Sequence, residues 1–384
     1  KGTILQLAKR LDNFAEYIFF RLNQKVREVE ARTSRKVLNF GPGSPDFPPS
    51  KQCLAKLHQF IDAPQAHMYP GYGPIPEFTQ ALISWYQARF NVQIQSDELY
   101  PLIGAKDGIS HLVLALLDPG DEVLVPDPGY PGYTGSALLV DAKPVYYNLL
   151  PQNNFKIDFT ELAQKITSKT KFMWVNFPSN PLGAVTNLTE LTKIVQFARK
   201  HSIWLIYDNA YSEITYDNYI APSILEIPEA KEVAIEIGSC SKMFSFAGYR
   251  IGWASGNRRL IAALAKVKSQ VDSGLPKPLQ QMAAYAFTHP DYAWQKAMLQ
   301  SYQLRRDLIA TRLKKLGLTF ELPLGSLYIW AKIPDAYSNS EEFVLDTLSK
   351  KHILFTPGTA YGQNGERYVR VSVCVNIDHI DEYF

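Results

Sequence analysis

The stretch VAIEIGSCSKMFSFAGYRIG at residues 233–252 indicates the class of fold and the chemistry that the fold carries. It begins with an apolar run, Val233 to Ile237, that has the character of a buried strand, and Lys242 follows soon after it. A lysine in this position lies at the carboxyl end of a strand, where open α/β sheets bind their ligands. Because burial favours the neutral, nucleophilic form of an amine, Lys242 is a candidate nucleophile. The alternative is a solvated loop end, and this stretch alone does not decide between the two.

The same stretch ends on an arginine between glycines. Arg250 lies eight residues after Lys242, and Gly248 and Gly252 on either side of it let the backbone approach a ligand closely. Together with Ser239, the guanidinium of Arg250 could form a two-pronged contact with a phosphate. The stretch therefore predicts a phosphate site beside the candidate lysine.

Outward from this stretch, short apolar segments alternate with helical segments, with Gly, Pro and Asn at the junctions. This alternation predicts an α/β fold with a large domain, in which helices sandwich a mainly parallel sheet. After about residue 277 the order changes, which predicts a smaller α+β domain. We expect residues 41–276 in the large domain, and residues 1–40, as an amphipathic arm, together with 277–384 in the small one. The predicted strands of the large domain are Glu122 to Val125, Pro144 to Leu149, Lys171 to Asn176, Ile203 to Tyr207, Ala234 to Gly238 and Arg250 to Ser255.

Two further segments carry polar residues directly after predicted strands. Asp208 ends the strand that begins at Ile203, and Tyr211 lies three residues later. An acid there could be the partner that a protonated pyridine nitrogen requires, although a helix N-cap aspartate would occupy the same position. In the segment NFPSNPLG at residues 176–183, two prolines hold Asn180 where its amide can reach a ligand, and an ordinary turn is the alternative.

In this order, the three segments resemble the fold type I aminotransferases of the aspartate aminotransferase family, and the resemblance extends from residue 41 to residue 370. It implies pyridoxal 5'-phosphate as the cofactor. Lys242 matches the lysine that holds this cofactor as a Schiff base, and Asp208 matches the partner of the pyridine nitrogen. Tyr211 and Asn180 match the pair that hydrogen-bonds the phenolate oxygen of the cofactor.

The resemblance implies roles for other residues around the cofactor. The loop GAKDG at residues 104–108 is similar to the family's phosphate loop, in which Ala105 and Lys106 would supply backbone N–H donors at a helix N-terminus. In the run DPGYPGY at residues 127–133, Tyr130 matches the aromatic residue that stacks on the cofactor ring. A buried core tyrosine is the alternative.

The remaining matches concern the substrate and a second subunit. Arg370 matches the arginine that binds the α-carboxylate of the substrate, and Gly43 would place a backbone N–H beside that carboxylate. Without the resemblance, an arginine in a strand would be read as a surface ion pair. Tyr69 matches the tyrosine that reaches the cofactor phosphate of the neighbouring subunit. The resemblance therefore implies a homodimer with shared active sites.

The activity implied by the resemblance is transamination by a ping-pong mechanism. An amino acid gives its amino group to the cofactor and leaves as a 2-oxo acid, and a second 2-oxo acid reverses these steps, without a metal. The GAKDGI loop and the DPGYPGY run are similar to LL-diaminopimelate aminotransferases and their relatives, which suggests glutamate and 2-oxoglutarate as one pair. A lyase or racemase of the same fold is an alternative. So is a non-catalytic regulator, although the segment before Gly41 is too short for the DNA-binding module of such proteins.

The composition bears on the other classes of partner. The 40 Lys and Arg residues nearly balance 37 Asp and Glu residues, leaving a net charge of +3 and no basic run of the kind that binds nucleic acid. No apolar run approaches the roughly 18 residues of a membrane span. Cys53, Cys240 and Cys374 are too far apart in the sequence for a metal motif or a disulfide framework. We therefore expect a cytoplasmic enzyme that acts on small molecules.

Overall fold

A computed structural model of the chain describes residues 5–14 and 18–384. Its strands are β1 (Leu38–Asn39), β2 (Leu99–Leu102), β3 (Glu122–Asp127), β4 (Lys143–Asn148), β5 (Thr170–Asn176), β6 (Trp204–Asp208), β7 (Ala234–Ser239), β8 (Gly252–Gly256), β9 (Tyr328–Lys332), β10 (Ile353–Leu354), β11 (Thr356–Pro357) and β12 (Tyr368–Ser372). Its α-helices are α1 (Ile18–Thr33), α2 (Lys51–Asp62), α3 (Pro76–Phe90), α4 (Ala105–Leu116), α5 (Pro131–Leu139), α6 (Phe159–Gln164), α7 (Leu188–Lys200), α8 (Ala230–Val233), α9 (Cys240–Met243), α10 (Arg258–Val271), α11 (Lys277–Thr288), α12 (Tyr292–Lys315) and α13 (Ser340–Lys351).

The main sheet has seven strands in the order β2-β8-β7-β6-β5-β3-β4. Neighbouring strands run parallel except that β8 is antiparallel to both β7 and β2. The predicted α/β class with a mainly parallel sheet is therefore confirmed. Strand β2, whose four residues include Pro101, was not predicted from the sequence. A proline argues against a central strand, but β2 lies at the edge of the sheet, where a missing backbone donor is tolerated.

Helices cover both faces of this sheet, and the strand sequences show why. Side chains alternate along a strand, so Met173 and Val175 of β5 enter one apolar core while Phe172 and Trp174 enter the core on the opposite face. All four are fully buried. Such double burial produces the continuous apolar runs that were recognised in the sequence. Between β5 and β6 the chain forms α7, and the side chain of Asn187 caps this helix by accepting from the Glu190 N–H at 2.9 Å.

A second sheet is built from the C-terminal part of the chain. Its strands are antiparallel in the order β11-β12-β9, and a separate parallel pair joins β1 to β10. Leu22 and Val29 of α1 share the core of these elements with residues of α12 and α13. Helix α11, in contrast, contributes Met282 and Ala283 to a core of the main sheet together with α2 and α3. The division of the chain at residues 276 and 277 stays a prediction.

The N-terminal arm extends beyond α1. A short 3₁₀ helix, Lys9–Asn13, lies against α5 of the main sheet's layer, where Arg10 donates to the Leu139 carbonyl at 3.0 Å. Among the described residues, no helix has both the length and the apolar character needed to cross a membrane. The three cysteines are buried and unpaired with one another.

One ionisable group lies deep in the core between β7 and α3. The carboxyl of Glu236 accepts hydrogen bonds from the hydroxyl groups of Tyr86 and Ser223 and from the side-chain amide of Asn209, all at 2.8 to 2.9 Å. Burial disfavours the charged form and raises the pKa of Glu236 to about 7, although these three hydrogen bonds oppose the shift. The protonated form is therefore favoured more strongly in the folded protein than in the unfolded chain.

We predict that the free energy of unfolding falls as the pH rises from 5 to 8. Because the pKa is higher in the folded state, the contribution of Glu236 is present below its unfolded pKa and is lost as the pH rises through about 7. The expected loss is roughly 2 to 3 kcal/mol. Urea unfolding of the parent protein and of Glu236→Gln at both pH values measures it, and the substitution should flatten the dependence. The exposed Glu77→Gln is the matched control, and a Glu236→Gln protein that keeps the full slope would contradict the prediction.

Candidate active site

The site lies where several strands of the main sheet end. Asp208 is the last residue of β6, Asn176 is the last residue of β5, and Lys242 follows β7 on the short helix α9. Because β5, β6 and β7 are parallel neighbours, their carboxyl ends meet at one edge of the sheet. This edge is where open α/β sheets bind their ligands.

A cavity of about 330 Å³ at this edge brings together nearly all the residues that the sequence analysis selected. Its lining includes Gly43, Ala105, Lys106, Tyr130, Asn180, Asp208, Tyr211, Ser239, Lys242, Arg250 and Arg370. Tyr69 does not line this cavity and is instead 87% exposed. The cavity thus joins residues of the main sheet to Arg370 of β12 in the second sheet.

Lys242 is one of the residues that line the cavity. Its ammonium donates to the Gly43 carbonyl at 2.6 Å and lies 5.6 Å from the centre of the Tyr211 ring. The side chain is only partly buried, so the amine is accessible from the cavity. A nucleophile needs this combination of a fixed position and an open approach.

Asp208 forms the buried wall of the cavity. The hydroxyl of Tyr133 donates to its carboxylate at 2.6 Å, and the Ala210 N–H approaches it at 3.3 Å. The side-chain amide of Asn176 donates to the Asp208 carbonyl at 2.8 Å, which fixes the backbone. Burial raises the pKa of Asp208, while the hydrogen bonds from Tyr133 and Ala210 and the charge of Lys242 oppose the rise. A buried carboxylate of this kind is matched to a cationic partner.

The opposite end of the cavity is suited to an anion. Helix α4 begins at Ala105, so the free N–H groups of its first turn face this end. Gly104 before it has φ +75°, and a Cβ there would lie 2.2 Å from the guanidinium of Arg250. Glycine is therefore required for the arginine to approach the helix start. Ser239 and Lys106 complete this end.

Arg370 occupies a third part of the cavity wall. Its guanidinium donates to the Asn180 side-chain oxygen at 2.9 Å and to the Gly41 carbonyl at 2.6 Å. It also lies over the ring of Tyr328, 4.1 Å from the centre. The buried Nε of Arg370 has no hydrogen-bond partner among the described residues. A buried donor that lacks a partner within the fold is suited to an acceptor supplied by a ligand.

Comparison with known proteins agrees with this geometry. The family model for aminotransferases of class I and II matches residues 35–383. The chain belongs to this family. The LL-diaminopimelate aminotransferase of Dehalococcoides mccartyi is 40% identical over 380 residues, which cover 98% of this chain and 97% of that protein. The enzyme of the same name from Gloeobacter violaceus is 39% identical, with 98% and 96% covered.

Solved structures show the same fold over nearly the full length. Substrate-bound BacF from Bacillus subtilis superposes with a TM-score of 0.92 at 32% identity, covering 99% of this chain and 96% of that one. An aspartate aminotransferase mutant from Thermus thermophilus gives a TM-score of 0.92 at 25% identity, covering 99% and 98%. The chain is therefore a pyridoxal-phosphate-dependent aminotransferase, and the implied family, fold, activity and cofactor are confirmed.

The residues of this aminotransferase fit the cofactor chemically. The α4 N-terminus and Arg250 offer donors to a phosphate, and the buried Asp208 offers a carboxylate to a protonated pyridine nitrogen. Lys242 lies in the same cavity and carries an amine that could condense with the cofactor's aldehyde. The guanidinium of Arg370 in the same wall is a cationic group complementary to a carboxylate. The wall thus offers groups complementary to the phosphate, the pyridine nitrogen and the aldehyde of the cofactor.

Two tyrosines that shape the site, Tyr133 and Tyr328, were not predicted from the sequence. Tyr133 is fully buried on α5, bonds Asp208 and stacks on Trp174 with ring centres 4.6 Å apart. The hydroxyl of Tyr328 on β9 lies 2.9 Å from that of Tyr211. The DPGYPGY run contained a signal for Tyr133, because Tyr130 directly precedes α5 and Tyr133 lies in the first turn of this helix, on the side facing Trp174 of the sheet. No local pattern indicated Tyr328.

We predict that Tyr133→Phe lowers kcat while the protein keeps its fold. Loss of the hydroxyl removes a donor to the Asp208 carboxylate and should raise the pKa of that group further. A hydrogen bond to a charged group contributes about 1.5 to 3 kcal/mol, so kcat should fall about tenfold or more. Steady-state kinetics and the cofactor dissociation constant measure the effect.

The matched control is Tyr147→Phe, which removes another buried hydroxyl, one that donates to the Trp174 carbonyl at 2.6 Å. It should cost stability without changing kcat. Equal losses of kcat in both variants would show that the Tyr133 hydroxyl has no special relation to Asp208.

Proposed function

We propose that Lys242 binds the cofactor covalently and then acts as the base of the reaction. The observation that carries this proposal is the position of its ammonium, in one cavity with the buried Asp208, the anion end at α4 and the unpaired Nε of Arg370. When bound, pyridoxal phosphate supplies the electron sink that makes the α-proton of an amino acid removable. Lys242, once released, takes this proton at Nζ and returns it to a neighbouring carbon.

Asp208 keeps the electron sink charged by holding a proton on the pyridine nitrogen. A carboxylate that stays ionised in a buried site needs donors, and Tyr133 and the Ala210 N–H supply them. Tyr211 and Asn180 are proposed to donate to the phenolate oxygen. Since the Asn180 side-chain oxygen already accepts from Arg370, its amide nitrogen is the end left to donate. The hydroxyl of Tyr328 fixes the position of the Tyr211 hydroxyl.

The anion end is proposed to bind the phosphate through the N–H groups of Ala105 and Lys106, the Ser239 hydroxyl and the Arg250 guanidinium. Arg250 has a left-handed backbone conformation, with φ +57°, and donates to the Ala247 carbonyl at 2.7 Å, which orients the guanidinium. Tyr130, just before α5, is proposed to stack on the cofactor ring.

Arg370 is proposed to bind the α-carboxylate that every substrate shares. Asn180 and the Gly41 carbonyl hold its guanidinium, so it need not be ordered when the substrate arrives. The backbone N–H of Gly43 is the proposed second donor. A side chain at this position would clash with the Tyr328 hydroxyl, because a Cβ would lie 2.0 Å from it.

We also propose that the enzyme is a homodimer in which Tyr69 reaches the phosphate end of the neighbouring subunit's site. The support is the exposure of three large apolar side chains that lie close together in the sequence, Met68, Tyr69 and Tyr72. Large exposed aromatic side chains that adjoin one another are typical of surfaces covered by a partner. Each active site would then need two chains.

For the substrates, we propose glutamate and 2-oxoglutarate as one pair. The relatives named as LL-diaminopimelate aminotransferases support an amino acid of that class as the other partner. The segment at residues 271–276 contains no arginine for a distal carboxylate, so strict aspartate specificity is not expected. We further propose that the enzyme works in the cytoplasm, where its buried, unpaired cysteines would remain reduced.

We predict that one amino donor converts the absorption band of the loaded enzyme to that of the pyridoxamine form in the absence of an oxo acid. The test adds glutamate, aspartate, alanine and LL-diaminopimelate separately and follows the visible spectrum. Stoichiometric conversion by glutamate supports the proposed pair. Conversion only by another amino acid of the panel contradicts the pair, and release of a cleaved product would indicate a lyase instead.

We predict that Lys242→Ala lowers kcat by about a thousandfold or more, since it removes the general base. The variant should still bind the cofactor, because Asp208 and the anion end remain. Activity assays with equilibrium dialysis of the cofactor measure both quantities. The control is Lys193→Ala on α7, whose ammonium pairs with Glu190 at 3.0 Å. Undiminished turnover of Lys242→Ala would contradict the role of this lysine.

A further inference from the structure

A second lysine, Lys268 of α10, is more deeply buried than Lys242 and has no part in the proposed chemistry. Its side chain is 2% exposed, and its ammonium contacts two carboxylates, Asp107 at 2.5 Å and Asp272 at 2.7 Å. A buried ammonium is costly unless its charge is compensated, and these two acids compensate it. One member of the triad, Asp107, lies in the first turn of α4, the helix whose start forms the anion end of the active site.

These acids do not form a metal site. Asp107, His111 and Asp272 present possible ligand atoms close to one another. However, the ammonium of Lys268 already lies between the two carboxylates at hydrogen-bond distance from each. A cation of the protein itself therefore fills the place that a metal ion would take.

Asp107 connects the triad to the phosphate end. It is the third residue of α4, directly after Ala105 and Lys106, and its carboxylate accepts from the Ile103 N–H at 2.7 Å. Burial raises the pKa of Asp107, but the contacts with His111 and Lys268 outweigh burial and keep this pKa below its usual value. The carboxylate is therefore charged, and without Lys268 it would repel an anion bound at the same helix end.

Asp272 connects the triad to the segment that carries Tyr69. Its carboxylate accepts from the Gly274 N–H at 2.9 Å. Gly274 has φ +97°, and a Cβ there would lie 2.1 Å from the Gly71 carbonyl, so the two backbones are in close contact. Gly71 lies two residues after Tyr69.

We propose that Lys268 is a positioning residue that joins the phosphate-binding start of α4 to the segment presenting Tyr69. It neutralises Asp107 beside the phosphate and holds Asp272, which in turn fixes the Gly274–Gly71 contact. One buried ammonium thus aligns the phosphate donors of its own subunit with the tyrosine that serves the other subunit. This inference rests on the proposed phosphate site and homodimer.

The test compares the binding of pyridoxal phosphate with that of pyridoxal, which lacks the phosphate. Apo protein is titrated with each compound and binding is followed by tryptophan fluorescence. In Lys268→Met, the dissociation constant for pyridoxal phosphate should rise about tenfold or more, while that for pyridoxal stays within about twofold. Lys268→Arg keeps the charge and should restore most of the preference for the phosphate compound.

The matched control is Lys231→Met, which breaks a similar ion pair with Glu98 at 2.7 Å, away from the cavity. It should leave both constants unchanged. Equal weakening of both compounds in Lys268→Met would overturn the proposal, because that pattern indicates a general loss of structure. If the parent enzyme binds pyridoxal phosphate and pyridoxal equally well, the proposed phosphate site is wrong. That result contradicts the proposed function and is distinct from a failure of the Lys268 proposal.

A double-mutant cycle tests the link to Tyr69. Asp272→Asn and Tyr69→Phe should each weaken the binding of pyridoxal phosphate. The double variant should bind this compound only slightly more weakly than the weaker-binding of the two single variants. This result supports a shared path from Asp272 to Tyr69. Losses that multiply independently would overturn this half of the proposal.

Discussion

The burial of charge in one cavity is the constraint on which the rest of this aminotransferase depends. Lys242, Asp208 and Arg370 lie between apolar cores, where an isolated charge is strongly disfavoured. Each is therefore held by groups of the fold, such as the Tyr133 hydroxyl for Asp208 and the Gly41 carbonyl for Arg370. These contacts fix the charged atoms in place before any ligand binds, and such preorganisation makes electrostatic catalysis efficient.

The same contacts tie the two sheets together. The bond between Arg370 and Asn180 runs from β12 to the loop after β5, and the contact between Tyr328 and Tyr211 runs from β9 to the loop after β6. Both cross between the second sheet and the main sheet. The cavity therefore has its full shape only when the two sheets are packed against each other, so stability of this packing and completeness of the site are linked.

How much could be predicted from the sequence follows from the range of each interaction. Lys242, Asp208 and Asn180 could be selected from the sequence. Each lies at or just after the end of an apolar strand, and parallel strands bring their carboxyl ends together. Arg370 gave no such local signal, since its place in the cavity arises from the packing of a distant strand, and it was selected through the resemblance. Tyr328 was missed for the same reason.

The other differences between prediction and structure arose where the local sequence pattern was incomplete or ambiguous. Tyr133 was passed over in favour of Tyr130, although the helical turn between them directs Tyr133 toward the sheet. Strand β2 was missed because Pro101 is unfavourable for a strand except at an edge. The N-terminal arm was recognised as amphipathic from its periodicity, but a periodic pattern does not show which elements the arm packs against. In the structure α1 packs with the second sheet, while the 3₁₀ helix before it lies on α5.

The ping-pong reaction imposes one more condition on this cavity. An amino acid and a 2-oxo acid must occupy it in turn, and they differ at the α-carbon while sharing the α-carboxylate. Recognition therefore has to be strongest at the shared group, and the proposed carboxylate site at Arg370, whose guanidinium is held by Asn180 and the Gly41 carbonyl, would meet this need. At the α-carbon the wall must tolerate both a tetrahedral and a planar centre. Lys242 carries its amine on a four-carbon chain with rotatable bonds, so this amine can move between the two forms once its hydrogen bond to the Gly43 carbonyl is released, which is consistent with its proposed role in carrying the proton.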